Sequence, residues 1–439
     1  MAPKHQAPRG TRDLLPAEIA RWQWAEAIAR DVLERYGYRE IRTPMFEDYE
    51  LFARTSGESS DVVQKEMYRF KDLGDRDLAL RPEFTAGVLR AWLESGLGGR
   101  SRVHRLWSTG PVFRYGRPAK GRYRQFSQLN CELIGSPAPG ADAEMITLFV
   151  ELYEAWGFRD LTVLVNSVGQ PATRRAYGER LREWLAPVHD KLSADSQARL
   201  GTNPLRVLDT KAEGDLALLR GEGWPNGAPG PLPHLLDSLD AEDRAHWDAV
   251  LAGLAAAGIR YEIDNGLVRG LDYYTRTAFE VHDRSLASQS ALGGGGRYDG
   301  LVEMLGGAPT PGVGFAIGLD RTLLVLQERG VQPATGDAVC LVAMDGTRAA
   351  ATALARELRR EFTVECDVEA RAFGAQMKAA GKSGARFLVI LGEEEWARGE
   401  VALKDSQTGT QETLAPAALA AALRAKARPA GRISTGEPR

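Results

Sequence analysis

The chain has 439 residues, 44% of them hydrophobic and 26% charged, with 56 basic against 59 acidic side chains and a formal net charge of −3. At roughly 100–200 residues per domain this predicts two to four domains and excludes a disordered, collagenous or small disulfide-framed protein. No apolar run reaches the ~18–20 residues that span a bilayer, and Cys131, Cys340 and Cys366 lack metal or redox spacing, so a cytoplasmic protein with reduced thiols and no membrane contact is expected.

The opening MAPKHQAPRGTRDLLP has no apolar core of the signal-peptide kind. Pro16 and the following AEIARWQWAEAIARDVLERY predict an amphipathic helix with Ile19, Trp22, Ile28, Ala29, Val32, Leu33 and Tyr36 on its apolar side and Gly37 as its stop. Two β segments are expected between Leu106 and Ile134, joined by a polar turn around Gly116–Gly121. Asp142–Trp156 reads as helix. From 170 to 257, charged helical pieces broken by GEGWPNGAPGPLP read as an insertion. β patterning returns at Tyr261–Asp264, Tyr273–Val281 and Gly312–Ile317, before a helix near Leu319 that buries Leu323, Leu324 and Leu326. Beyond a linker at 328–337, strand Val339–Ala343, helix Arg348–Phe362, strand Thr363–Val368, helix Ala375–Ala380 and strand Phe387–Leu391 predict a small parallel α/β domain. A hairpin around Gly409 and a helix at 416–425 close it. The expected division is 1–169, 170–257, 258–328 and 337–425, with a disordered tail at 426–439.

A net charge near zero conceals a local patch. From Arg100 to Arg124 there are seven arginines and one lysine and no acidic residue, enough positive field to hold polyphosphate. The adjoining RQFSQLNCELIG, as a strand, puts Phe126, Gln128, Asn130 and Glu132 on one face and Ser127, Leu129, Cys131 and Leu133 on the other. An ordinary half-exposed strand fits that alternation too. Beside Arg114, Arg117, Lys120, Arg122 and Arg124, however, an aromatic plate suits a nucleotide, with the base on Phe126 and guanidinium forks on phosphates. LVRGLDYYTRTAFEV sets Arg269 before Tyr273 and Tyr274, which an Arg-capped loop leading into core tyrosines would equally explain. GGGGRYDGL lacks the Lys-Ser/Thr of a phosphate loop, and its glycines fit close approach of a ligand to the backbone. In TPGVGFAIGLDRTLLVL, Arg321 falls in the first turn of a helix, where an anion is favoured. Glu83 and Thr85 in LRPEFTAGVLRA fit either a helix cap or an ammonium site.

These strings together resemble the histidyl-tRNA synthetases of bacterial type. GPVFRYGRPAKGRYRQFSQLNCELIG resembles the second signature motif of class II aminoacyl-tRNA synthetases, and GVGFAIGLDR the third. LVRGLDYYTRTAFEV and GGGGRYDGL resemble the two histidine-specific motifs. RGTRD and the Pro44 region YREIRTPMFE resemble the family's opening and first motif. The resemblance implies an α+β catalytic domain, an antiparallel sheet flanked by helices, with a helical insertion that clasps the acceptor stem and a C-terminal α/β anticodon-binding domain. It implies a histidine–tRNA ligase that uses ATP, with Mg²⁺ carried mainly on the ATP phosphates, and a homodimer with Pro44 at its interface. By the same resemblance Glu83, Thr85 and Gln128 hold the α-amino group of L-histidine, Glu132 and Tyr274 read its imidazole, and Tyr273 lines the pocket. Arg269 holds the carboxylate and α-phosphate, Arg114 the α-phosphate, and Arg122 and Arg321 the β- and γ-phosphates. Phe126 stacks on adenine, and Arg117 and Arg124 face the acceptor end of histidine tRNA. The sequence departs from the family at Ala119, where many bacterial members have glutamine, at Ser127, where histidine is usual, and at Asn130, where a small residue is usual. The alternative is the non-catalytic, histidine-binding regulatory paralogue of ATP phosphoribosyltransferase. That family typically loses the phosphate-binding arginines and the anticodon domain, whereas this chain keeps Arg114, Arg122, Arg269, Arg321 and a C-terminal α/β pattern.

Overall fold

In the computed structural model the described residues are 5–56, 60, 62–225, 227–268, 273–285, 291–331 and 337–427. The chain divides into two compact units, Met1–Val331 and Gln332–Arg439. The expected amphipathic helix is α1 (Pro16–Arg35), which turns Trp22, Ala25, Ile28, Ala29, Val32 and Leu33 inward, while Ile19 and Tyr36 are partly buried against the same core. Pro16 occupies the first turn, where a missing N–H costs no helical bond. Gly37, at φ 79°, closes the helix: its N–H donates to the Glu34 carbonyl and that of Tyr38 to the Leu33 carbonyl.

Next come β1 (Arg39–Glu40), β2 (Phe46–Asp48), α2 (Tyr49–Ser56), β3 (Arg69–Lys71), β4 (Asp77–Leu80) and α3 (Thr85–Glu94); β2, β4 and β3 form a small sheet of their own. The two expected β segments are a long hairpin, β5 (His104–Phe113) with β6 (Gln125–Ile134), paired from His104–Ile134 to Phe113–Gln125. α4 (Pro139–Ala155) and β7 (Leu161–Ser167) follow. Within 170–257, α5 (Pro171–Leu185), α6 (Ala194–Thr202) and α7 (Glu213–Leu219) surround an apolar cluster of their own that includes Tyr177, Leu181, Trp184 and Trp224. α8 (Ala241–Ala256) belongs to the same stretch of sequence yet packs on α4, adding Trp247, Val250 and Leu254 to the main core. The chain then forms β8 (Tyr261–Ile263), β9 (Thr275–Asp283), β10 (Ala291–Arg297), α9 (Leu301–Met304), β11 (Gly312–Gly318) and α10 (Leu319–Glu328).

Eight strands in the order β1-β5-β6-β11-β10-β9-β7-β8 make one sheet, antiparallel except for short parallel pairs at its edges, β1 with β5 and β7 with β8. Leu129, Cys131, Leu133, Phe279 and Phe315 pack with α1 and α4 in the main core, which leaves the other face of the sheet for the site. The glycine run is itself a strand, β10, set between β9 and β11. Its small residues are required by crowding: a Cβ at Gly295 would lie 2.0 Å from the Gly314 carbonyl oxygen, and one at Gly296 would lie 2.6 Å from that of Thr277. On α10, Leu323, Val325 and Leu326 are buried. Leu324, expected beside them, is only half-buried, because it stands over Gly121 of the Arg-rich turn.

The second unit contains β12 (Val339–Ala343), α11 (Arg348–Leu358), β13 (Val364–Cys366), α12 (Phe373–Ser383), β14 (Phe387–Leu391), α13 (Glu393–Ala397), β15 (Val401–Asp405), β16 (Gln411–Leu414) and α14 (Leu419–Lys426). Strand order is β13-β12-β14-β15-β16, parallel over the first three and antiparallel thereafter. α11 ends at Leu358 rather than Phe362, since residues 359–361 turn to bring Phe362 back onto the apolar cluster. β13 is correspondingly shorter than the expected 363–368. Of the tail expected at 426–439, Lys426 ends α14 instead, and residues 428–439 lie outside the described residues. Among the described residues no helix is long and apolar enough to cross a membrane.

Candidate active site

The open face of the large sheet carries a cavity of about 290 Å³. Alternation along β6 sends Gln128 and Asn130 into its wall while Leu129 and Cys131 face the core. The side-chain oxygens Gln128 Oε1 and Asn130 Oδ1 are buried and meet no hydrogen-bond donor among the described residues. A buried amide oxygen without a partner costs free energy, so this wall is poised for a ligand that donates hydrogen bonds.

Glu132, two residues further along the strand, is fully buried and lies beneath this wall. Thr85 Oγ1 and the Tyr298 hydroxyl donate to its carboxylate, as does Asn130 Nδ2 at 3.1 Å. Burial pushes its pKa up to about 7, against the pull of these donors and with a further push from Glu83. The space it occupies exists because β11 has glycine opposite: in the register Gly314 faces Glu132, and a Cβ there would lie 1.9 Å from Glu132 Oε2. Gly314→Ala is therefore expected to displace the carboxylate and weaken the hold of this site on its ligand by at least ~100-fold. Binding measured on a folded variant, verified by circular dichroism, checks this.

Glu83 is a helix cap and a cavity residue at once. It caps α3, its carboxylate accepting from the backbone N–H groups of Thr85 and, at 3.0 Å, Ala86, and it also lines the cavity. Burial raises its pKa, opposed by the two backbone donors, Thr85 and nearby Arg114. Tyr273 and Tyr274 line another side with ring centroids 4.7 Å apart.

Two cations supply the opposite character. Arg114, just past β5, donates through Nε to the Pro82 carbonyl at 2.9 Å and lies 5.6 Å from the Phe126 ring centroid. Arg321, in the first turn of α10, lines the cavity, and burial draws its pKa down. The neighbouring Asp320 fixes that turn: it accepts from the Ser127 N–H at 2.7 Å and from Arg12 at 3.3 Å, tying α10 and the RGTRD segment to β6. A pocket that brings carboxylates and tyrosines together with guanidinium groups can seat a cationic amino acid beside a polyphosphate.

Of the residues expected in the site, Glu83, Thr85, Arg114, Gln128, Tyr273, Tyr274 and Arg321 line the cavity, and Glu132 lies directly beneath its wall. Phe126 is half-buried against Arg114. Arg122 is not gathered in; it is exposed on the turn, 3.4 Å from Glu66. Arg117 is exposed on the same turn. Arg124 is engaged within the fold rather than presented outward, with its guanidinium 3.6 Å from the Tyr115 ring centroid and its backbone N–H donating to the Gly10 carbonyl. Arg269 lies outside the described residues. Sequence reasoning missed Tyr298 and the supporting part of Asn130. Tyr298 follows the glycine run directly, but its reach to Glu132 depends on β10 standing two strands from β6, a pairing that no local pattern states.

A family profile described as Histidyl-tRNA synthetase matches residues 10–322, and one described as Anticodon binding domain matches residues 338–426. A histidine–tRNA ligase of Synechococcus sp. (strain JA-3-3Ab) is 50% identical over 418 residues, covering 94% of this chain and 97% of that protein. Another, from Thermosynechococcus vestitus, is 47% identical over 409 residues, covering 92% and 93%. The crystal structure of apo histidyl-tRNA synthetase from S. aureus superposes with a TM-score of 0.78 at 35% identity, covering 95% of this chain and 99% of that one.

Proposed function

The chain belongs to the histidyl-tRNA synthetase family, and from that membership we propose how its own residues divide the work. The protein is a histidine–tRNA ligase: L-histidine reacts with ATP to give histidyl-adenylate and pyrophosphate, and the histidyl group passes to the 3′ end of histidine tRNA. Glu83, Thr85 and Gln128 hold the α-ammonium group, with the unpartnered Gln128 Oε1 as an acceptor. Glu132, supported by Thr85, Asn130 and Tyr298, reads the imidazole with Tyr274, while Tyr273 walls the pocket. Arg114 and Arg269 take the α-phosphate and carboxylate, Arg321 the outer phosphates, and Phe126 the adenine. Arg122 joins Arg321 only by swinging from Glu66, and Arg117 on the exposed turn meets the acceptor end.

The histidine carboxylate is already an anion when it attacks the α-phosphorus, so no protein base is needed as pyrophosphate leaves. The protein's contribution is alignment and neutralisation of charge by fixed guanidinium groups. Glu280 also stands on the cavity wall, which fits a Mg²⁺ that takes a single carboxylate and otherwise phosphate oxygens; when bound it would neutralise phosphate charge. The observation that carries the assignment is the cavity itself, with Arg114 and Arg321 among its lining residues and the buried Glu132 carboxylate bonded to Thr85 and Asn130 of its wall. The test is histidine-dependent ATP–pyrophosphate exchange, expected to be abolished by Arg269→Ala. Normal exchange in that variant, or exchange with another amino acid only, would sink it.

A homodimer and a cytoplasmic location complete the reading. Near Pro44, Met45, Phe46, Phe70 and Leu73 are exposed, with the Phe46 and Phe70 rings 6.4 Å apart edge to face. Exposed apolar side chains of this kind support an interface there, and the free thiols of buried Cys131 and Cys340 suit a reducing compartment. The double variant Phe46→Glu/Leu73→Glu is expected to sediment as a monomer at concentrations where the parent is a dimer.

A further inference from the structure

Arg276 is a residue the reaction does not use and the fold strains to keep. It adopts φ +48°, a region sparsely populated by residues with a side chain. Asp75 and Ala370, the other such residues among those described, are exposed, whereas Arg276 is 8% exposed. Strain held in a buried position points to a constraint imposed by its surroundings.

The strain serves an exchange of partners. β9 slips its register against β10 between Ala278–Gly296 and Thr275–Arg297. At the slip the backbone of Arg276 turns to the other neighbour: its N–H donates to the Gly169 carbonyl at 2.9 Å and its carbonyl accepts from the Val168 N–H at 2.7 Å. Gly169 is where the chain leaves β7 for the helical insertion. The guanidinium then takes hold of the returning end, donating to Asp243 of α8 at 2.8 Å and pairing with Glu242. Asp243 is fully buried and accepts also from the Gln170 N–H at 2.9 Å and Thr173 Oγ1 at 3.2 Å. One side chain thus fastens both ends of the insertion, two residues from Tyr274. A second tie runs directly to that tyrosine, whose carbonyl accepts from Arg174 of α5 at 2.7 Å.

We propose that Arg276 is a positioning residue that couples the helical insertion to the amino-acid pocket by holding Tyr273 and Tyr274 in register with both of the insertion's ends. The inference rests on the reading that these tyrosines wall the histidine site. Movement of the insertion then changes histidine affinity, and histidine reciprocally biases the position of the insertion.

The test measures KM for histidine and for ATP separately in the exchange reaction, using R276M, R276K, R174M and Y274F. R276M and R276K share the same backbone demand, so a difference between them reports the ion pairs alone. Expected is a histidine KM raised about 10-fold in R276M, less in R276K and in the same direction in R174M, with the ATP KM within about twofold of the parent. A histidine KM unchanged in R276M, or both KM values raised equally, beside a raised histidine KM in Y274F, overturns the coupling alone. An unchanged histidine KM in Y274F and in R276M overturns the pocket reading as well. Should R276M fail to fold, R276K and R174M decide by the same comparison.

Discussion

Replacing Glu132 by Gln lowers kcat/KM for histidine by about 100- to 1,000-fold while leaving the KM for ATP within a fewfold of the parent. The carboxylate is a fully buried acceptor bound by three side-chain donors, and a mismatched amide there leaves buried polar groups unsatisfied, at ~1–3 kcal/mol for each neutral group and more for a charged one. The pH dependence sharpens the test. With Glu132 titrating at about 7, its carboxylate is lost as pH falls below neutrality, and histidine use by the parent acquires an acid limb there. Titration of the substrate is common to both enzymes, so the part of the limb that disappears in E132Q belongs to Glu132. Parallel pH profiles in the two enzymes would contradict the assignment.

Arg297→Met destabilises the protein by about 3–5 kcal/mol, the usual consequence of stranding a buried charge. Arg297 and Asp142 are both fully buried; the guanidinium donates to both oxygens of the carboxylate, to Asp299 at 2.9 Å and to the Ser136 carbonyl at 2.9 Å. His246 approaches Asp142 from α8 at 3.5 Å. Chiefly through Arg297 and in spite of burial, Asp142 is held down to about 2, below its ordinary 3.8. A depressed carboxyl contributes stability that is complete above its unfolded pKa and is lost as pH falls through the folded one. This contribution therefore fades between about pH 4 and pH 2. Urea midpoints at pH 6 and pH 2.5 are expected to differ less in R297M than in the parent. The double variant R297M/D142L should recover part of the loss, since it removes both fully buried charges and leaves only the partly exposed Asp299 without its cation. Equal acid sensitivity in parent and R297M would dismiss the ion pair as its source.

What local pattern determines was readable from the sequence. The period-two alternation of β6 sorted Gln128, Asn130 and Glu132 from Leu129, Cys131 and Leu133 without knowledge of any partner strand, because a pleat allows only two faces. The continuous apolar strands β12 and β14 likewise announced themselves with their ends intact. What depended on distant pairing did not. The glycines at 293–296 are ambiguous in isolation and become a strand only when β9 and β11 press from both sides. Arg122 and Arg124 are alike in sequence, yet one is exposed on the turn while the other is bound by Gly10, Gly116 and Tyr115. α8 follows the charged insertion without a break in texture, and only its contact with α4 assigns it to the main core.

The buried carboxyl beneath the pocket wall also sets how the protein fares without its substrate. A carboxyl raised from 4.5 to about 7 costs stability as pH climbs through that interval, so at neutral pH the empty protein carries an unfavourable charge in its interior. On the proposed role of Glu132, histidine donates to that charge and relieves it, and at ten times its dissociation constant a ligand adds about 1.4 kcal/mol to the folded state. Limited proteolysis is therefore expected to cut the empty form faster than the histidine-loaded one, and faster at pH 8 than at pH 6.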